Sequence, residues 1–97
     1  MIALSEQVCL GNGFPIVIMA GPCSVEGEEM FSQCADTVSN LGLPIIRGGA
    51  FKPRTRPNSF QGLGLKGLSI LSKHAKKTGL LTITEAMSVE QVGEVCD

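Results

Sequence analysis

Three short apolar runs, at residues 16–20, 43–47 and 80–84, each lead toward a segment of helical periodicity. No other feature of the 97-residue chain constrains its fold as strongly. The first run, IVIMA, is continuously apolar and stops at Gly21-Pro22, the pattern of a buried strand ended by a turn. Met30, Cys34, Val38 and Leu41 then recur at helical spacing. Glu26, Glu28 and Glu29 lie near the positive end of that helix, and Gly42 is its stop. The second run, LPIIR, is a short strand followed by a Gly- and Pro-rich loop over 48–62. Leu65, Leu68, Leu71 and Ala75 define a second amphipathic helix, with Lys73, Lys76 and Lys77 at its negative end and Gly79 as its cap. The third run is another strand, and residues 88–95 begin a third helix with Ser88 as N-cap. Ahead of all this, VCLGNGFP at 8–15 reads as a short N-terminal hairpin turning at Gly11-Asn12-Gly13. The order β-α-β-α-β-α predicts an α/β fold with a parallel sheet, and such folds place their sites at the carboxyl ends of the strands.

Hydrophobic residues make up 43% of the chain and charged residues 18%, enough apolar material for a core and too little charge for a disordered segment. The length fits one small domain over 1–97, with no second domain. No apolar run approaches the roughly 18 residues that a membrane span needs. Residues 1–10 carry Glu6 as their only charged side chain and so lack the basic start of a secretory signal. Cys9, Cys23, Cys34 and Cys96 form no CxxC pair, which reads as free thiols in a reducing, cytoplasmic compartment. Aromatics at 4%, without Trp or Tyr, argue against a stacking surface for single-stranded nucleic acid.

The charges are segregated. All eight cationic residues lie between Arg47 and Lys77, and all nine acidic residues lie outside that span. For Lys66, Lys73, Lys76 and Lys77 a solvated helix face is sufficient explanation. Arg47, Lys52, Arg54 and Arg56 differ, because they crowd into ten residues with Gly48, Gly49, Pro53 and Pro57. Cations held without counter-charge on a constrained loop predict an anion site, and Arg matches phosphate or carboxylate bidentately. A nucleic acid is the competing anion; the net charge of −1 and the scarcity of aromatics near the loop disfavour it. GLGLKG at 62–67 satisfies GxGxxG literally, but RPNSFQ precedes it instead of a strand, so it reads as a loop feeding a helix at Gly64. Cys23, in a Gly-Pro turn just past a strand, is poorly placed for core packing and well placed to face a site. His74, in the last turn of a basic helix, is explained by contact with the helix dipole and is not expected to be a ligand.

Four motifs carry more than their separate readings: GPCSVE at 21–26, RGGAFKPRT at 47–55, SFQGLG at 59–64 and TITEAM at 82–87. In this order and spacing, over residues 8–97, they closely resemble 3-deoxy-D-arabino-heptulosonate 7-phosphate synthase (DAHP synthase) of the short bacterial type. The resemblance implies a TIM (β/α)8 barrel of which only the first three β/α units are present. It also implies a cytoplasmic transferase that condenses phosphoenolpyruvate with erythrose 4-phosphate and releases phosphate, the first step of the shikimate route to chorismate and the aromatic amino acids. Carried over by position, Cys23 would ligate a divalent metal (Mn, Fe, Co or Zn). Arg47 and Lys52 would hold phosphoenolpyruvate, Arg54 and Thr55 the phosphate of erythrose 4-phosphate, and Lys52 would take part in catalysis. Glu85, at a strand end, is a further catalytic candidate, with a structural carboxylate as the equal alternative. The resemblance further implies a homo-oligomer in the full-length family, with neither nucleic acid nor membrane as partner. Arg56 and Asn58 depart from the family's usual small and aromatic residues. The sister 3-deoxy-D-manno-octulosonate 8-phosphate synthase shares GPCS but usually lacks KPRT, and a non-catalytic phosphate-binding or oligomerisation remnant is the alternative outside enzymes. A TIM barrel takes roughly 250 residues, so the chain is expected to be a partial reading frame, inactive alone.

Overall fold

The computed structural model describes residues 1–51 and 63–96. Lys52, Arg54, Thr55, Arg56 and Asn58 therefore lie outside the described residues. The elements run β1 (Ile2–Ala3), β2 (Cys9–Leu10), β3 (Met19–Ala20), α1 (Glu28–Asn40), β4 (Ile45–Arg47), α2 (Leu65–Thr78), β5 (Leu81–Ile83) and α3 (Val89–Cys96). Strands β3, β4 and β5 form a parallel sheet in that order, with Met19 opposite Ile45, Ile46 opposite Thr82 and Arg47 opposite Ile83. The expected α/β alternation and parallel pairing are both present.

Strand β4 is central, and its two isoleucines are buried on opposite faces: Ile45 is 2% exposed and Ile46 0%. Ile46 packs into one cluster with Val25, Phe31, Ala35, Val38, Ile70, Leu71 and Ala75, which joins α1 and α2 to the sheet. The helical stripes thus sit one position away from part of the expected pattern. In α1 the buried residues are Phe31, Ala35 and Val38, whereas Leu41, past the helix end, is 68% exposed. In α2 they are Gly67, Ile70, Leu71, His74 and Ala75, while Leu65, the first helical residue, is 62% exposed. An i, i+3, i+4 repeat defines a face only to within one residue, and the partner surface chooses. The expected ends hold. Gly79 caps α2 in the left-handed conformation (φ 74°), and the Gln91 N–H donates to the Ser88 hydroxyl at the start of α3 (3.3 Å).

Three expectations are corrected. The hairpin is real but sits earlier: β1 pairs antiparallel with β2, Ile2 opposite Leu10, and residues 4–8 make the turn. Ser5 is the cause, since its hydroxyl accepts the Gln7 and Val8 N–H groups while the Leu4 N–H donates to the Val8 carbonyl (2.8 Å). Gly11 and Gly13 follow the second strand instead of joining the two. Residues 16–20 are not a continuous buried strand; only Met19–Ala20 is strand, and Ile16 is 93% exposed. β3 is one of the two sheet edges among the described residues and pairs with β4 alone. Lastly, contact with the helix dipole is not the whole explanation of His74. It is 6% exposed, with its ring edge against Phe31 (centroids 6.4 Å apart) and Nε2 3.3 Å from Oε1 of Glu28.

Candidate functional site

Arg47 ends β4 on the same sheet face as Ile45, opposite the helix-packed Ile46, because side chains alternate along a strand. Its neighbour across the sheet is the end of β5, and two residues beyond Ile83 stands Glu85. The Arg47 Nη2 lies 3.6 Å from Oε1 of Glu85, both side chains about half exposed. A pair of this length and exposure contributes under about 1 kcal/mol to stability. Its interest is its place, a guanidinium beside a carboxylate at the carboxyl end of the sheet.

The segment bearing Cys23 is pressed onto the same strand end. Gly21 has φ +156°, and a Cβ there would overlap the Arg47 carbonyl oxygen, so the backbones of residues 21 and 47 touch. Four residues later the Val25 N–H donates to the Gly49 carbonyl (2.8 Å), and a Cβ on Gly48 would meet Cγ2 of Val25 at 2.8 Å. From the other side, the Thr84 hydroxyl donates to the Gly48 carbonyl (2.6 Å) and the Gly48 N–H to the Ile83 carbonyl (3.3 Å). Residues 48–50 are therefore clamped between the segments after β3 and β5. The Gly64 N–H reaches back to the Ala50 carbonyl (2.9 Å), tying the start of α2 to the same place. Arg47, Cys23 and Glu85 are thus brought to the carboxyl end of one sheet, and Cys23 is exposed there.

One soft donor does not make a metal centre. Among the described residues no group of three or more His, Cys, Asp and Glu comes together, so they can supply Cys23 as a ligand but cannot close a site around an ion by themselves. His74 is not near this role; it serves the α1–α2 contact. There, Lys73 Nζ (2.6 Å) and His74 Nε2 share Oε1 of Glu28, and those hydrogen bonds, the lysine's foremost, hold the Glu28 carboxyl below its ordinary pKa. A cleft between α2, β5 and α3, walled by Leu68, Leu71, Leu81 and Val95, is lined by neither Cys23, Arg47 nor Glu85. No described helix is long and apolar enough to cross a membrane.

Sequence reasoning missed Gly21, Gly48 and Thr84 as builders of the site. The Gly-Pro turn was visible, but contact between residues 21 and 47 has no local signal. It also missed Ser24, which is 7% exposed and whose hydroxyl has no hydrogen-bond partner among the described residues.

The sequence pattern of the DAHP synthetase I family matches residues 1–97. The chain belongs to that family. Phospho-2-dehydro-3-deoxyheptonate aldolase of Thermotoga maritima is 50% identical over 91 residues, which cover 94% of this chain and 27% of the relative. The 2-dehydro-3-deoxyphosphooctonate aldolase of Geobacter metallireducens is more distant, 38% identical over 93 residues, covering 89% of this chain and 34% of the relative. The crystal structure of the Thermotoga maritima DAHP synthase superposes with a TM-score of 0.89 at 50% identity, over 97% of this chain and 27% of that one. A truncated form of the 3-deoxy-D-arabino-heptulosonate 7-phosphate synthase from the same organism gives 0.81 at 42% identity, over 98% of this chain and 33% of that one. This member of the DAHP synthetase I family thus spans about a quarter to a third of the length of the relatives it matches.

Proposed function

We propose that residues 1–97 form the first three β/α units of a TIM barrel and carry one part of a DAHP synthase site. The observation that carries this reading is the meeting of Arg47, Glu85 and the Cys23 turn at one end of a parallel sheet in a chain of this family. In this reading the enol carbon of phosphoenolpyruvate attacks the aldehyde carbon of erythrose 4-phosphate. Water adds to the cationic carbon that results, and the C–O bond to phosphate breaks. Arg47 and Lys52 hold phosphoenolpyruvate, with Lys52 at the reacting end, while Arg54 and Thr55 hold the sugar phosphate. Cations held in register neutralise two multiply charged substrates and remove much of the entropic barrier. Glu85 orients the Arg47 guanidinium and stands at the strand end as the remaining candidate for catalysis. Cys23 would be one ligand of a divalent metal, which when bound supplies Lewis-acid polarisation of the aldehyde. The other ligands would come from parts of the barrel beyond these three units, and residues 1–97 alone are expected to release no phosphate. The working enzyme would be a cytoplasmic homo-oligomer.

The octulosonate synthase reading is weaker, because KPRT stands at 52–55 and the relatives of that name are more distant. The two separate in a chimera in which residues 1–97 replace the matching segment of the Thermotoga maritima enzyme. Phosphate release from phosphoenolpyruvate is expected with erythrose 4-phosphate and not with a five-carbon aldose phosphate. The opposite preference would reverse the assignment, and release with neither would leave the remnant reading standing.

A further inference from the structure

Ser24 lies between the exposed Cys23 and the fully buried Val25, and its Oγ is shut off from solvent without a hydrogen-bond partner among the described residues. Leaving a buried hydroxyl unpaired is destabilising, and an alanine in the same place would escape that cost. Such groups call for an explanation beyond packing. The surroundings of Ser24 supply one. Its neighbour Val25 is hydrogen-bonded to Gly49, Val25 Cγ2 leaves no room for a side chain at Gly48, and Gly21 abuts the Arg47 carbonyl. Any backbone adjustment of residues 47–49 is therefore transmitted to residues 21–25, with no slack between the two segments to absorb it.

We propose that Ser24 is a positioning residue for the Arg47 site: its hydroxyl, unpaired among the described residues, gains its hydrogen bond when an anion bound at Arg47 draws residues 47–49 into their working position. This rests on the reading of Arg47 as an anion-binding residue. The unpaired hydroxyl weakens the empty state and favours the loaded one, so part of the binding selectivity is stored in the fold. A small side chain is needed, because the segment is packed. A hydroxyl is needed, because an apolar side chain would stabilise both states alike.

The test uses the chimera described above, with phosphoenolpyruvate as the probe and thermal unfolding and steady-state kinetics as readouts. Ser24→Ala is expected to raise the midpoint of the ligand-free protein by a few degrees while shrinking the rise that phosphoenolpyruvate induces. It is also expected to raise the KM for phosphoenolpyruvate by about three- to tenfold, the worth of one ordinary hydrogen bond. Ser24→Gly, which also lacks the hydroxyl and adds no bulk to the packed segment, is expected to shrink the ligand-induced rise as Ser24→Ala does. A ligand-induced rise and a KM that Ser24→Ala leaves unchanged would overturn this inference and spare the Arg47 site. Absence of any phosphoenolpyruvate-induced shift in the parent chimera would overturn both.

Discussion

Helices α2 and α3 are both amphipathic, yet only one of them is built into the core. α2 buries Ile70, Leu71, His74 and Ala75 against α1 and β4, whereas α3 buries no residue, and its Val89 and Val92 are 85% and 49% exposed. The difference lies in the partner surface. The face of α2 meets Phe31 and Ile46, both fully buried, while Val89 and Val92 of α3 meet no comparable surface among the described residues. Periodicity tells which side of a helix would be buried; a facing element decides whether it is.

Substitutions in the chimera can break this comparison. Phe31→Ala, at the centre of the α1–α2 contact, is expected to cost about 3–5 kcal/mol of unfolding free energy in denaturant titration. A loss near zero would mean that the two helices do not share a core. Gly21→Ala comes next, at about 1–3 kcal/mol, because it combines a strained φ with overlap on the Arg47 carbonyl. Unlike Phe31→Ala, it should also reduce phosphoenolpyruvate binding in the molecules that stay folded. If the loss is confined to stability, contact of the two backbones does not shape the site. Val92→Ala on α3 is expected to change stability by no more than about 0.5 kcal/mol, provided nothing in the assembled barrel covers it. A cost like that of a core valine would identify a surface that packs on α3.

The smallest effect concerns pH. Glu28 is held below its ordinary pKa, mainly by the Lys73 hydrogen bond and then by His74. A group with a lowered folded-state pKa contributes stability that is present above its unfolded value and is lost as pH falls through the folded one. Glu28→Gln should therefore remove a small stabilisation at neutral pH, flatten the acid side of the stability profile below the ordinary carboxylate pKa of 4.5, and match the parent at the acid end. An equally steep acid loss in the variant would place its origin elsewhere.

Much of this was readable from residue order alone. The strands at 43–47 and 80–84, the Gly79 cap, the Ser88 N-cap and the parallel alternation all rest on local chemistry, and each survived. What failed depended on partners distant in sequence. Residues 16–20 are apolar enough for a buried strand, but burial needs cover on both faces, and Ile16, Ile18 and Met19 are left exposed by the described residues. Ser5 took the hairpin turn from Gly11-Asn12-Gly13 through two hydroxyl contacts that no hydropathy pattern records. His74 was read against its own helix, and its partners Glu28 and Phe31 stand more than forty residues away. At the site, the identities of Cys23, Arg47 and Glu85 were legible as motif residues. Their common place at the carboxyl ends of the strands follows from the β-α-β order; the contacts at Gly21, Gly48 and Thr84 that press the segments together have no local signal.

The central proposal is that the basic residues at and beyond the end of β4 divide between two substrates, with Arg47 serving one and Arg54 the other. The direct measurement is the pair of KM values, for phosphoenolpyruvate and for erythrose 4-phosphate, in chimeras carrying Arg47→Ala or Arg54→Ala. Loss of a charge-assisted hydrogen bond costs about 1.5–3 kcal/mol, or roughly ten- to a hundredfold in the affected constant. Arg47→Ala is expected to raise the phosphoenolpyruvate constant by that factor and the sugar phosphate constant little, with Arg54→Ala showing the reverse. Equal effects on both constants in both variants, or losses of folding stability with unchanged constants, would contradict the account.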